Sequence, residues 1–146
     1  MQPVAARTLD ELPAWAAELL ATARVAHLGL LDDRGGPRVL PVTFARVGSE
    51  LWSAVDDKPK RRPADRLARV RWLKARPRSA LTVDRYDDDW SRLAWVQAIG
   101  ETAVLEPAGH ERALAALTDR YAQYRDRPPA GPLLRLTPER VVFWRA

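Results

Sequence analysis

Apolar and polar residues alternate along this chain in two rhythms, and the changes between them mark out its elements. Leu12, Trp15, Ala16, Leu19, Leu20 and Ala23 recur at helical spacing, which predicts an amphipathic helix from about Leu9 to Ala23. Thr8-Leu9-Asp10-Glu11 precedes it as a capping box, in which a threonine hydroxyl and a glutamate three residues on satisfy helix-end amides. Val25 to Leu31 is then a short apolar strand. Asp32-Asp33-Arg34-Gly35-Gly36 is a turn rich in residues that tolerate positive φ, and Arg38 to Ala45 returns as the second arm of a hairpin. Pro41 removes one ladder donor from that arm, so an edge or a bulge is expected there. Val47-Gly48-Ser49 turns again, and Leu51 to Val55 is a third strand.

Pro59 and Pro63 keep helix from forming before Ala64. From there to Ala75, Leu67, Val70 and Leu73 lie three apart, which predicts a short helix that Pro77 ends. Ser79 to Val83 reads as strand, Asp87-Asp88-Asp89 as a loop, and Trp90 to Leu105 as a long strand-rich stretch kinked at Gly100. Pro107 to about Arg125 reads as a second amphipathic helix, with Ala113, Leu114, Leu117, Tyr121 and Tyr124 on one side. Pro128 to Pro132 is a stiff connector. Leu133 to Leu136 and Val141 to Trp144 are final strands around a turn at Pro138. Six to eight strands and three helices without βαβ alternation or internal repeat predict a mainly β (α+β) chain: an antiparallel barrel with peripheral helices.

The 146 residues suit a single domain, 1–146, with a sizeable core. No apolar run approaches the roughly 18 residues of a membrane span. The N-terminal residues lack the pattern of a secretory signal, so a cytoplasmic protein is expected. With no cysteine, thiolate metal sites and cysteine nucleophiles are excluded. His27 and His110 stand far apart, so no zinc site is expected. The Asp87–Asp89 run lacks the alternating ligands of a calcium loop and reads as a solvated turn. His27, within an apolar strand, reads as a core or interface histidine; His110, at a helix start, reads as exposed. Trp15, Trp52 and Trp144 read as core, and Trp90 and Trp95 as core or dimer interface, with stacking on a ring as the alternative. No Gly-x-Gly-x-x-Gly follows a strand and no Walker loop is present, which removes the common dinucleotide and nucleotide cradles.

Charge changes the picture at one place. The net charge is +5, yet Asp56 to Arg78 alone carries ten basic and three acidic residues. A basic segment in an otherwise slightly acidic chain points to a local anionic partner. Aromatic residues other than Trp72 are not interleaved with it, so nucleic acid is not the expected partner.

Four passages, in their order, resemble the pyridoxamine-phosphate-oxidase-like split β-barrel superfamily, and within it the deazaflavin-dependent oxidoreductases. They are Ala26-His27-Leu28-Gly29-Leu30-Leu31 with its turn and Arg38-Val39-Leu40-Pro41-Val42-Thr43-Phe44; Ala54-Val55-Asp56-Asp57-Lys58-Pro59-Lys60; Leu67 to Val83 with Arg76-Pro77-Arg78; and Tyr86-Asp87-Asp88-Asp89-Trp90 followed by Leu93, Trp95, Val96 and Gly100-Glu101. The resemblance implies an FMN-binding type of split barrel that works as a homodimer with its cofactor across the interface. It implies Lys58 and Lys60 as phosphate ligands, with Arg71 from the following helix, and Pro41, Val42 and Thr43 along the ring. The implied cofactor is the deazaflavin coenzyme F-420, with FMN as the alternative, and the implied activity is hydride transfer between reduced F-420 and a small organic substrate. A flavin or deazaflavin carrier without turnover is a further alternative. The family often has Asn-Ile after the helix arginine, where this chain has Trp72-Leu73. Hydride chemistry belongs to the cofactor, so no dedicated catalytic side chain and no metal is expected.

Overall fold

The computed structural model describes residues 2–55 and 63–146. Its elements in chain order are β1 (Val4–Ala6), α1 (Ala14–Thr22), β2 (Ala26–Leu31), β3 (Pro37–Val42), β4 (Ala45–Val47), β5 (Glu50–Ala54), α2 (Pro63–Ala75), β6 (Arg78–Arg85), β7 (Ala94–Leu105), α3 (Glu111–Arg120), α4 (Ala122–Asp126) and β8 (Leu133–Arg145). The strands form one antiparallel sheet in the order β3-β2-β6-β7-β8-β5-β4, with β1 paired to β8.

That order fixes the shape. Strands β3 and β4 are the two edges, yet only Thr43 and Phe44 separate them in sequence. Seven strands laid flat would place the edges about 29 Å apart. Three Cα steps from Val42 to Ala45 reach no more than about 11 Å. The sheet must therefore curl until its edges meet at Thr43–Phe44, which is a barrel split along one seam.

Alternation along the strands builds the interior. Leu28 and Leu30, Leu81 and Val83, Val96 and Ala98, and Val141 and Phe143 point inward and are buried together. Ala16, Leu19 and Leu20 of α1 and Val70 and Leu73 of α2 join this core. A second, smaller core lies outside the barrel wall. There Ala113 and Leu117 of α3, Tyr121 and Tyr124 cover Ala45, Trp52, Ala54 and Leu133.

Several expectations are corrected by proline and by tyrosine. The first helix begins at Ala14, not Leu9. Leu9–Glu11 is a separate 3-10 turn, and Leu12 (ψ 141°) and Pro13 (ψ 158°) are extended, because a residue before proline is driven out of the helical region. Thr8 makes no capping bond; the Glu11 carboxylate accepts instead from the Arg7 amide at 3.1 Å. The predicted helix of Pro107–Arg125 is two helices, broken where Tyr121 turns extended (φ −122°, ψ 115°).

The two C-terminal strands are one. Strand β8 runs through Pro138, and the register against β7 shifts between Ile99 and Gly100 so that Gly100 faces Pro138. A bulge spares the ladder the donor that proline lacks, and the kink expected at Gly100 is this bulge. Strand β1 carries too short a pattern to be foreseen. Pro41 does lie on an edge strand, β3. His27 is exposed, so of its core and interface readings the core one falls. Trp90 is 69% exposed and not core, whereas Trp52 is buried and Trp15 and Trp144 are only partly so.

Candidate cofactor site

The outer face of β3, β2, β6, β7 and the C-terminal half of β8 is left without a cover by the described residues. Pro41, His27, Thr82, Gln97 and Val142 form one row across it in register. Val39, Gly29, Ala80 and Ile99 form the next. Val39 is 68% exposed and Val25 49%, while Pro41 and His27 are exposed and Ile99, Trp95, Val142 and Trp144 are partly so. Gln97 Nε2 donates to Thr82 Oγ1 at 3.0 Å. The face is thus apolar at Pro41, Val39, Ile99, Trp95, Val142 and Trp144, with a polar strip through His27, Thr82 and Gln97 and the exposed charges of Asp84 and Arg140 in its flanking rows, and it ends at the free edge of β3.

The three residues expected along a cofactor ring take different positions. Pro41 lies exposed on this outer face. The Val42 side chain turns inward and is 7% exposed in the core, so what it offers outside is its main chain. Thr43 is half-buried at the seam, its hydroxyl 2.7 Å from that of Tyr124, and its carbonyl accepts from Ser53 Oγ at 2.6 Å.

Tyr121 and Tyr124, which the periodicity assigns to packing, and Arg120, which it leaves unassigned, hold this corner. The Tyr121 hydroxyl accepts from the Phe44 amide at 3.1 Å and lies 2.9 Å from the Arg24 carbonyl. The Arg120 guanidinium donates to the carbonyls of Phe44 (3.1 Å), Leu20 (3.3 Å) and Ala23, and it stacks 4.6 Å over the Phe44 ring. Its pKa is lowered chiefly by burial, but a guanidinium remains charged at neutral pH. One cation thereby ties the end of α1, the seam and α3 together. A tyrosine on the apolar side of an amphipathic helix carries a polar tip that needs a partner when buried; that was the available signal.

Arg71 is exposed on α2. The next residue, Trp72, lies under the Arg38 guanidinium, 4.8 Å from its ring centroid, and Leu73 is core. Arg76 donates to the Asp32 carbonyl at 3.0 Å. Asp32 in turn accepts from the amides of Gly36 (2.8 Å) and Arg34 (3.0 Å). These two bonds, the Gly36 one foremost, hold its carboxyl below the ordinary carboxylate range. The end of α2 is thereby fastened to the β2–β3 turn. Lys58 and Lys60 lie outside the described residues. His110, expected to be exposed, is half-buried with its ring 5.2 Å from that of Trp52. Among the described residues no three His, Asp or Glu side chains gather as a metal site, and no helix is long and apolar enough to cross a membrane.

An antiparallel sheet curled to a seam, with helices on one flank and a bare apolar face on the other, is a split β-barrel of the FMN-binding type. The chain belongs to the pyridoxamine 5'-phosphate oxidase family, whose sequence pattern matches residues 14–143. No curated protein matches it. Among solved structures it resembles a FAD-binding protein of Mesorhizobium loti, 19% identical over 98% of this chain and 97% of that one, with a TM-score of 0.63. It also resembles a conserved hypothetical protein of Mycobacterium tuberculosis (17%, 96% and 88%, TM-score 0.73) and the heme storage protein of Vibrio cholerae (16%, 84% and 87%, TM-score 0.66). At such identities the likeness is one of fold.

Proposed function

We propose that this chain is an oxidoreductase that binds the deazaflavin coenzyme F-420 at a homodimer interface and passes hydride between it and a small organic substrate. FMN is the alternative cofactor. The observation that carries the reading is the bare apolar face that ends at the open edge of β3, in a chain whose strongest positive charge follows β5. A flavin-type ring needs an apolar wall with a few polar contacts. Pro41 and the main chain of Val42 and Thr43 offer these, and the described residues therefore fit the ring. Lys58 and Lys60, with Arg71 behind them, are assigned to the anionic tail, whose charges need cations and hydrogen bonds once desolvated.

The bound cofactor would supply the hydride chemistry. The chain's own part is to bind, orient and exclude water. Tyr121, Tyr124 and Arg120 keep the Val42–Phe44 main chain in one place, and the apolar outer face of a second copy closes the site. On titration with F-420 or FMN, followed by quenching of cofactor fluorescence, tight binding is expected to weaken about 10- to 100-fold in Lys58→Ala. Tighter binding of FMN than of F-420 would assign the cofactor as FMN. Binding of neither would end the reading.

The dimer has its own test. Sedimentation is expected to show a dimer at micromolar concentration, and Val39→Glu, which places a charge on the apolar face, is expected to give monomers. A wild-type chain that sediments only as monomer would remove the shared site.

A second reading is a binding protein without turnover. The exposed His27 favours it, since an imidazole on an apolar face can ligate iron, and one structural relative is a heme storage protein. A Soret shift with hemin that disappears in His27→Ala would move the assignment there.

A further inference from the structure

At the far end of β6 from the α2 junction, three arginines converge. Arg78 and Arg85 bound that strand, which spans about 23 Å, so this place is far from the α2 end. Arg85, Ala94 and Arg145 alternate with the residues of the uncovered outer face, in phase with the inward-facing Val83, Val96 and Phe143. Arg85, Ala94 and Arg145 stand in one row across β6, β7 and β8. The small Ala94 leaves room between two guanidinium-bearing neighbours. Arg92 joins them from the 3-10 turn Trp90–Arg92, and together with Ser91, Leu93 and Ala146 they line a cleft of about 420 Å³.

Each arginine is held by its own contact. Arg85 Nε donates to the Arg92 carbonyl at 2.7 Å. Arg92 pairs with Asp87 at 3.4 Å. Arg145 stacks over the Trp15 ring at 5.2 Å. The turn is itself pinned: Asp89 accepts from the Ser91 amide and hydroxyl at 3.1 and 2.7 Å, which lowers its pKa, and Asp87 accepts from the Asp89 amide at 2.8 Å. The aspartate run is thus a scaffold. Arg85 and Arg145 both face Ala94 and lie two strands apart, and the lining residues carry no acidic side chain. Arginine forks match phosphate.

The same connection carries two exposed aromatic rings, Tyr86 and Trp90, each 69% exposed and each one residue from a lining residue. Exposed aromatic faces stack on nucleobases. We propose that the cleft among Arg85, Arg92 and Arg145 binds a nucleoside phosphate, the phosphate between the arginines and the base against Trp90 or Tyr86. This assignment does not rest on the cofactor reading.

Calorimetric titration of the full chain with adenosine monophosphate at low salt tests it, with inorganic phosphate as the second probe. Saturable binding is expected, weakened about 10-fold or more in Arg85→Gln and in Arg145→Gln and unchanged in a Lys58→Ala, Lys60→Ala double variant. Trp90→Ala is expected to weaken the nucleotide but not inorganic phosphate. Arg145→Gln also loses its stacking on Trp15, so thermal melts accompany the titrations, and Arg85→Gln, which does not touch Trp15, carries the test if Arg145→Gln fails to fold. Absence of saturable binding overturns the proposal. So does binding that ignores the arginine variants and vanishes in the lysine variant. Equal affinity for inorganic phosphate and the nucleotide, with no effect of Trp90→Ala, overturns the nucleoside part.

Discussion

Gly100→Ala is expected to destabilise the fold by about 3 kcal/mol, near the upper end for forced overpacking, and to lower the melting temperature by about 10 °C. A Cβ on Gly100 would lie 2.1 Å from the Thr137 carbonyl oxygen and 3.1 Å from Pro138 Cα. Both are main-chain atoms, so no side chain can rotate away. The strands would have to separate at the one place where β7 and β8 are already out of simple register. These are the longest strands of the sheet and its centre, pairing from Ala94↔Arg145 to Leu105↔Leu133. Urea unfolding of the variant measures the cost. A loss below about 1 kcal/mol would show that the bulge relaxes freely and that glycine is not required there. Gly29→Ala is the control, since its Cβ would meet only the Ala80 carbonyl oxygen at an ordinary 3.7 Å.

Arg120→Met is expected to cost about 2 kcal/mol, allowing for the partial exposure of the group. Methionine keeps much of the length and apolar volume of the stem, so the loss reports the guanidinium. Three carbonyls, those of Leu20, Ala23 and Phe44, lose a charged donor at once. Two of them belong to the end of α1, where a cation also answers the helix dipole. Arg120→Lys is expected to recover only part of this, because one ammonium cannot fork to three acceptors in this geometry. If the proposed function holds, the variant also binds F-420 more weakly than its residual stability accounts for, since the seam at Thr43–Phe44 loosens. A variant as stable as wild type in urea would mean that the tyrosines alone hold the seam.

The periodic patterns were a good guide wherever one element satisfies its own backbone. Strands β2 and β5, the helix ending before Pro77 and the edge position of Pro41 follow from alternation, from the 3.6-residue repeat and from proline's missing donor. The local basic charge is equally legible, as is the absence of cysteine chemistry. Errors gathered at residues whose conformation is set by partners distant in sequence. Pro138 reads as a turn because nothing nearby says that Gly100, 38 residues earlier, will accommodate a bulge. Tyr121 reads as mid-helix because its true partner, the Phe44 main chain, lies 77 positions away.

The candidate site divides in the same way. The residues place Pro41, Val42 and Thr43 inside one strand from Arg38 to Ala45, whereas β3 ends at Val42 and β4 begins at Ala45. That Pro41 faces outward, Val42 inward and Thr43 into the seam was decided by the curl of the sheet, which brings its two edges together. His27 reads as a core or interface residue because its strand is apolar, and the tertiary structure places it on the uncovered face, which removes the core reading. Composition and periodicity determined which segments are strands or helices and where the charge sits. Only the tertiary structure decided which face of each strand is covered, because burial depends on what the rest of the chain places over it.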